Sequence, residues 1–268
     1  SLPRLQLFHL RQVLQARQPE HLEEPLRRAV EHRPPHVLGP AHELIRHGDL
    51  SGSIGECAVL YPRGAIPAKR VLVVGLGKAE AFDLDGVRTA AATAARQARK
   101  HKANHLATIV HGAGIAGLPI AAAAQATVEG TLLALYRYDA AKGAKPGHDI
   151  DGVTIVEFDA GKLDAIQEGA NVGMAVSAGV GLARDLVNMP PNVATPTRMA
   201  DAAQEIAAES GMKIKVGGRR WAAKRDMGAF LAVAKGAGEP PKSVPDSPGQ
   251  EREWLDSIRS RKQPSCNV

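Results

Sequence analysis

The chain has 268 residues and a formal charge of +6, with 44% apolar but only 3% aromatic residues. That length allows one large domain or two ordinary ones, with a core filled by alanine, valine and leucine. The positive residues are dispersed, so the excess charge reads as solubility, with nucleic acid an unlikely partner. Cys57 and Cys266 stand far apart and outside any CxxC pattern, which fits a reducing compartment better than a disulfide scaffold. Without an apolar leader or an uncharged run long enough for a bilayer, a soluble, cytoplasmic protein is expected, with no membrane partner.

Residues 1–36 mix Arg, Gln, Glu, His and Pro, and Leu22–Val30 reads as a short amphipathic helix stopped by Pro34-Pro35. From Val37 the texture changes. Ile54–Tyr61 (IGECAVLY) and Arg70–Gly75 (RVLVVG) read as strands, the second a nearly pure β-branched run suited to a buried position. Leu84–Lys100 reads as a helix, Leu106–Val110 as a strand and Ile120–Tyr138 as a helix. Val153–Phe158 is a strand again, followed by a long helix from about Lys162 to Asn188. This alternation predicts βαβ units in an α/β protein, with a mixed, largely parallel sheet flanked by helices.

The stretch Ala183–Thr197 (ARDLVNMPPNVATPT) is a joint. Its helix must end at Asn188, because Pro190 lacks an amide proton and Pro191 disfavours a helical residue before it. Thr195 then reads as an N-cap with proline at the first helical position. Pro196–Ser210 is the new helix, closed by Gly211, and Met212–Val216 (MKIKV) reads as a strand. Asp226–Ala234 is either a helix end or a strand; Glu239-Pro240-Pro241 breaks the pattern, and 243–268 is a polar tail expected to be disordered.

Several motifs imitate known chemistry. HELIRH (His42–His47) resembles HExxH, but its histidines are five apart, roughly 140° around a helix, so a surface helix is expected. His101 and His105 have metal-ligand spacing, yet they follow a basic run at a helix end, where the dipole explains histidine. GAGIAG (Gly112–Gly117) fits G-x-G-x-x-G but lacks the acidic residue of a second strand, so it reads as a tight turn. VVGLGK (Val73–Lys78) is not a Walker loop, because Leu72 and Ala79 stand where glycine and Ser or Thr are required. No G-x-S-x-G elbow occurs. Asp185, Asn188 and Asn192 surround the joint and are expected to bond nearby backbone amides, without a catalytic role.

The joint, IPAKRVLVVGLGK (Ile66–Lys78), LYRYD (Leu135–Asp139) and DMGAFLAVAKGAGEPPK (Asp226–Lys242) resemble segments of the leucyl aminopeptidase (cytosol aminopeptidase) family, in that family's order. The resemblance runs from Val37 to Lys242. It implies an N-terminal α/β domain over 37–161 that mainly builds a hexamer, and a connecting helix and joint over 162–190. The first units of a catalytic domain would follow over 191–242, between an atypical segment at 1–36 and the tail.

In the family the catalytic domain carries two divalent metal ions, Zn or Mn. They activate a water against the first peptide bond and so release N-terminal residues from peptides. Its ligands come from motifs resembling GKGVTFDTGG and NTDAEGR, and neither string occurs in these residues. Asp246, Glu251, Glu253 and Asp256 lie in the polar tail without a glycine-rich scaffold. The expectation is therefore no catalytic residue, no metal ligand, no bound cofactor and no peptidase activity in this polypeptide, with self-association its foreseen partnership. A non-catalytic assembly or regulatory module is the alternative, and a nucleic-acid or nucleotide binder a further one.

Overall fold

The computed structural model describes residues 14–17, 35–64, 66–112, 117–138 and 147–231. In chain order its elements are β1 (Leu14–Arg17), α1 (Pro35–His47), β2 (Cys57–Leu60), β3 (Val71–Val74), α2 (Leu84–Lys100), β4 (His105–Thr108), α3 (Ile120–Leu135), β5 (Gly152–Val156), α4 (Leu163–Asn188), α5 (Pro196–Ser210) and α6 (Arg219–Ala223). Two compact units divide at Thr195 and Pro196, inside the joint.

In the first unit β1, β5 and β4 form a parallel sheet in that order, with Leu14 opposite Val153 and His105 opposite Gly152. β4, α3 and β5 make a βαβ unit, as the alternation requires. β2 and β3 form a separate antiparallel pair, Cys57 opposite Val74. Val110, Val153 and Ile155 pack with Val128 and Leu132 of α3 and Ile166 of α4 to make the main core.

α3 lies between α2 and α4, and small residues bring the three backbones together. A Cβ on Gly130 would stand 2.3 Å from the Arg88 carbonyl oxygen, and one on Gly169 would stand 2.0 Å from that of Ala121. Ala90, Ala91, Ala94, Ala95 and Ala98 are the buried alanines of α2. Each buries little area, so close approach and many dispersion contacts replace large side chains.

Both ends of α2 are chemically fixed. The Asp83 carboxylate accepts the Gly86 N–H at 2.8 Å. At the other end Lys102 adopts φ +54° while Lys102 N–H and Ala103 N–H donate to the carbonyls of Arg99 and Ala98, both at 3.0 Å. This is a Schellman turn with lysine at the position that usually takes glycine. The second unit uses the same device at α5, with Gly211 at φ +67° and Met212 N–H donating to the Ala207 carbonyl at 2.9 Å. There Trp221 packs on Gly217, and the Arg225 guanidinium lies 4.0 Å from the Trp221 ring centroid.

The mixed α/β reading holds, and four details differ from it. RVLVVG is half-buried in the antiparallel pair, where among the described residues it has one neighbouring strand and packs on α2. β1 lies within the segment read as atypical and adds to β5, a long-range pairing that local pattern does not reveal. α3 stops at Leu135 instead of Tyr138, since Tyr136 takes an extended conformation at ψ 136°. Met212–Val216 does not form a strand among the described residues: it is exposed and has no ladder partner within them. The Asp226–Ala234 segment enters a helical turn at Gly228–Leu231 and then leaves the described residues. The amphipathic helix at Leu22–Val30 and the 243–268 tail also lie outside them.

Candidate functional site

The joint begins at a polar cluster on the C-terminal ends of α3 and α4. The Tyr136 hydroxyl donates to Asp185 Oδ1 at 2.8 Å, and Asn188 Nδ2 donates to the Tyr136 oxygen at 3.4 Å. Arg184 covers the same ring, 5.3 Å from its centroid, and donates to the Leu133 carbonyl at 3.3 Å. From α2, Arg99 donates to the carbonyls of Leu135 and Ala134 at 3.0 and 3.4 Å. Two arginines thus satisfy three terminal carbonyls of α3, where the helix dipole favours cations. Burial foremost, with the Asp185 bond assisting, pushes the Tyr136 hydroxyl above its usual pKa, so it stays a donor.

Asp185 and Asn188 were expected to bond local backbone. They instead reach a side chain on another helix, and these bonds join two of the family-like segments, LYRYD and the joint. Past the cluster, Met189 N–H donates to the Asp185 carbonyl at 3.1 Å, and Val193 and Ala194 N–H both donate to that of Pro190 at 2.8 and 2.9 Å. The chain therefore turns tightly before α5 begins at Pro196.

The glycine-rich segments are committed to packing. Gly75 N–H donates to the Glu56 carbonyl at 2.8 Å and Gly77 N–H to that of Gly52 at 2.9 Å. A Cβ on Gly75 would meet the Ser53 carbonyl at 2.1 Å, so VVGLGK holds the β2–β3 pair against its own loop and offers no free amide cradle there. Gly112, at φ +81°, lets Phe82 and Leu118 approach within 2.8 and 3.0 Å of where its Cβ would stand. The rest of GAGIAG up to Gly117 lies outside the described residues.

The four histidines of the imitating motifs lie apart from one another along the chain. His42 and His47 are exposed on α1, His101 caps α2, and His105 opens β4. Among the described residues no group of three or more His, Cys, Asp or Glu side chains converges as metal ligands would. Two divalent ions require several converging carboxylates, so these residues do not fit such a centre. Asp246, Glu251, Glu253 and Asp256 lie outside the described residues. Burial pushes the Cys57 thiol upward, away from nucleophilic thiolate character.

Sequence reading missed a second polar centre, in a shallow groove of about 320 Å³ between α2 and α3. Glu129 is 5% exposed there, and its two oxygens accept from Arg88 Nε and Gln125 Nε2, each at 2.7 Å. The Glu129 bond, above all, raises the Arg88 pKa further. Every carboxylate oxygen is satisfied, so the centre is a structural ion pair. Glu129 and Gln125 four apart on a helix were the available signal.

Residues 36–145 match the model of the cytosol aminopeptidase family N-terminal domain, and 181–245 match that of its catalytic domain. Probable cytosol aminopeptidases from Roseiflexus castenholzii and Alkaliphilus metalliredigens are 38% and 34% identical over 76% of the chain. These matches take in 42% and 41% of the relatives, so the chain spans about two-fifths of their length. The bottromycin maturation enzyme BotP is 27% identical with a TM-score of 0.52, over 75% of this chain and 38% of that one. A tomato leucine aminopeptidase mutant has the same fold at a TM-score of 0.64 and 24% identity, over 85% of this chain and 45% of its own.

Proposed function

The chain belongs to the cytosol aminopeptidase family, and we propose on that footing that these residues supply its N-terminal domain, connecting helix and catalytic-domain entrance. The observation that carries this reading is the position of the joint. The catalytic-domain match begins at residue 181, within α4, and the two compact units divide at Thr195 and Pro196. α4 therefore lies wholly in the first unit while its last turns carry the start of the catalytic-domain match, and the Tyr136 cluster holds its end there.

The family activity is metal-dependent release of N-terminal residues from peptides. These residues alone are inactive in that reaction on this reading, because neither metal-binding string is present in them and the described donors do not converge. No catalytic step is assigned to any of them. When bound, the metal pair would polarise the peptide carbonyl and activate water. Here the chain's own groups hold helices α3 and α4 in register instead.

The partnership supported is self-association in a reducing, cytoplasmic setting. Among the described residues no helix is long and apolar enough to cross a membrane. Val172, Val176 and Val187 of α4 are 45%, 41% and 84% exposed, which favours association. Light scattering on the eluting protein tests this: an assembly larger than one chain is expected, and a clean monomer overturns it. Chelator-sensitive hydrolysis of leucine amide by the purified chain would overturn the assignment of inactivity.

A further inference from the structure

The groove between α2 and α3 extends beyond the ion pair that closes one end of it. Arg88, Ala92 and Arg96 follow at four-residue steps along one face of α2, and Glu129 and Leu133 do the same along α3. With Ala134 they line the groove, whose volume is about 320 Å³. Gly130 lies against the Arg88 backbone, so the two helices touch beneath it and the floor is closed.

The two ends differ in charge. At one end Arg88 is already neutralised, with Nε donating to Glu129 at 2.7 Å and Nη1 to Asp85 at 2.8 Å. Towards the other end Arg96 is exposed, and no described carboxylate lies within ion-pair distance of it. Ala92, Leu133 and Ala134 are half-buried there. A single uncompensated cation thus stands beside a strip of apolar surface.

We propose that this groove docks an acidic amphipathic helix of a partner protein, with an apolar side chain on Ala92, Leu133 and Ala134 and a carboxylate on Arg96. Shape selects a polypeptide. A small molecule needs about 70–90% of its surface covered, which so shallow a groove does not supply. The furrow between two packed helices instead accepts the side-chain ridge of a third. Charge selects the acid, because Arg88 is satisfied within the chain and Arg96 alone sets the sign of what approaches.

The test uses two labelled synthetic helical peptides, each about fifteen residues long, with the same leucine stripe and either glutamate or lysine beside it. Fluorescence anisotropy is read as the whole chain is added. The glutamate peptide is expected to bind about ten-fold more tightly than the lysine peptide. Arg96→Glu, at an exposed position, is expected to reverse that order and leave the chain's melting curve unchanged. Ala92→Glu is expected to weaken the glutamate peptide about ten-fold, by setting a like charge on the apolar floor. Binding by neither peptide, equal binding by both, or a preference that Arg96→Glu leaves in place overturns the proposal. So does an assembly of the chain alone that Arg96→Glu dissociates, since a second copy then fills the groove. Hydrolysis by the chain is read separately, so failure here leaves the functional reading standing.

Discussion

Tyr136 and Asp185 stand 49 positions apart, and a 2.8 Å hydrogen bond from the phenol to the carboxylate ties the end of α3 to the end of α4. The bond lies where the connecting helix stops and the chain turns towards its second unit. Its strength comes from an ionised acceptor in a half-buried setting.

Tyr136→Phe keeps the ring beneath Arg184 and removes only the hydroxyl. It leaves Asp185 without its phenol donor and is expected to destabilise the first unit by about 1–2 kcal/mol. Urea unfolding measures this. An unchanged midpoint would show that the cluster does not anchor α4.

Glycine plays two roles along α4. Gly169 touches the Ala121 carbonyl, so Gly169→Val must push α3 and α4 apart and is expected to cost about 3 kcal/mol or more. Gly179 faces open space, and Gly179→Ala is expected to stabilise by about 0.5–1 kcal/mol through helix propensity alone. Thermal melting of the two variants distinguishes packing from propensity; shifts of the same sign contradict the account.

The Arg88–Glu129 pair is asymmetric, with side chains 38% and 7% exposed. Arg88→Ala strands a buried carboxylate and is expected to cost about 2–3 kcal/mol, reduced from a fully buried pair by solvent at Arg88. Glu129→Gln keeps an acceptor for Arg88 and is expected to cost about 1 kcal/mol. Equal losses in denaturant titration would argue that the charge itself is unimportant.

Burial holds the His111 imidazole below its ordinary pKa of 6.5. As pH falls through that ordinary value, the unfolded chain binds the proton before the folded chain does. Stability from this group therefore falls with pH, by at most about 1.4 kcal/mol per unit. Between pH 7.5 and 5, His111→Gln is expected to lose less stability than the parent. An identical or steeper loss contradicts the assignment.

The helices and the joint were legible in the sequence because their signals are local. Asp83 before Leu84, the Pro190-Pro191 stop and the Thr195-Pro196 start each act within a turn, and α2 and α5 begin and end as expected. Strand partnership was not legible. RVLVVG shows what its side chains prefer, yet whether it lies in a parallel sheet or an antiparallel pair depends on residues far away. MKIKV shows the converse, a strand's pattern that finds no partner among the described residues. The Tyr136 cluster escaped for a related reason: Asp185 and Asn188 suit local turns as well as distant hydroxyls, and only the packing of α3 on α4 decides between them.

On the proposed function these residues build a family scaffold without peptidase chemistry of their own. Hydrolysis of leucine amide by the purified chain in Mn or Zn, with and without chelator, tests it most directly. The full-length Roseiflexus castenholzii relative assayed alongside serves as the active reference. No chelator-sensitive turnover above the buffer rate is expected from the chain, and turnover that the chelator abolishes would overturn the proposed function.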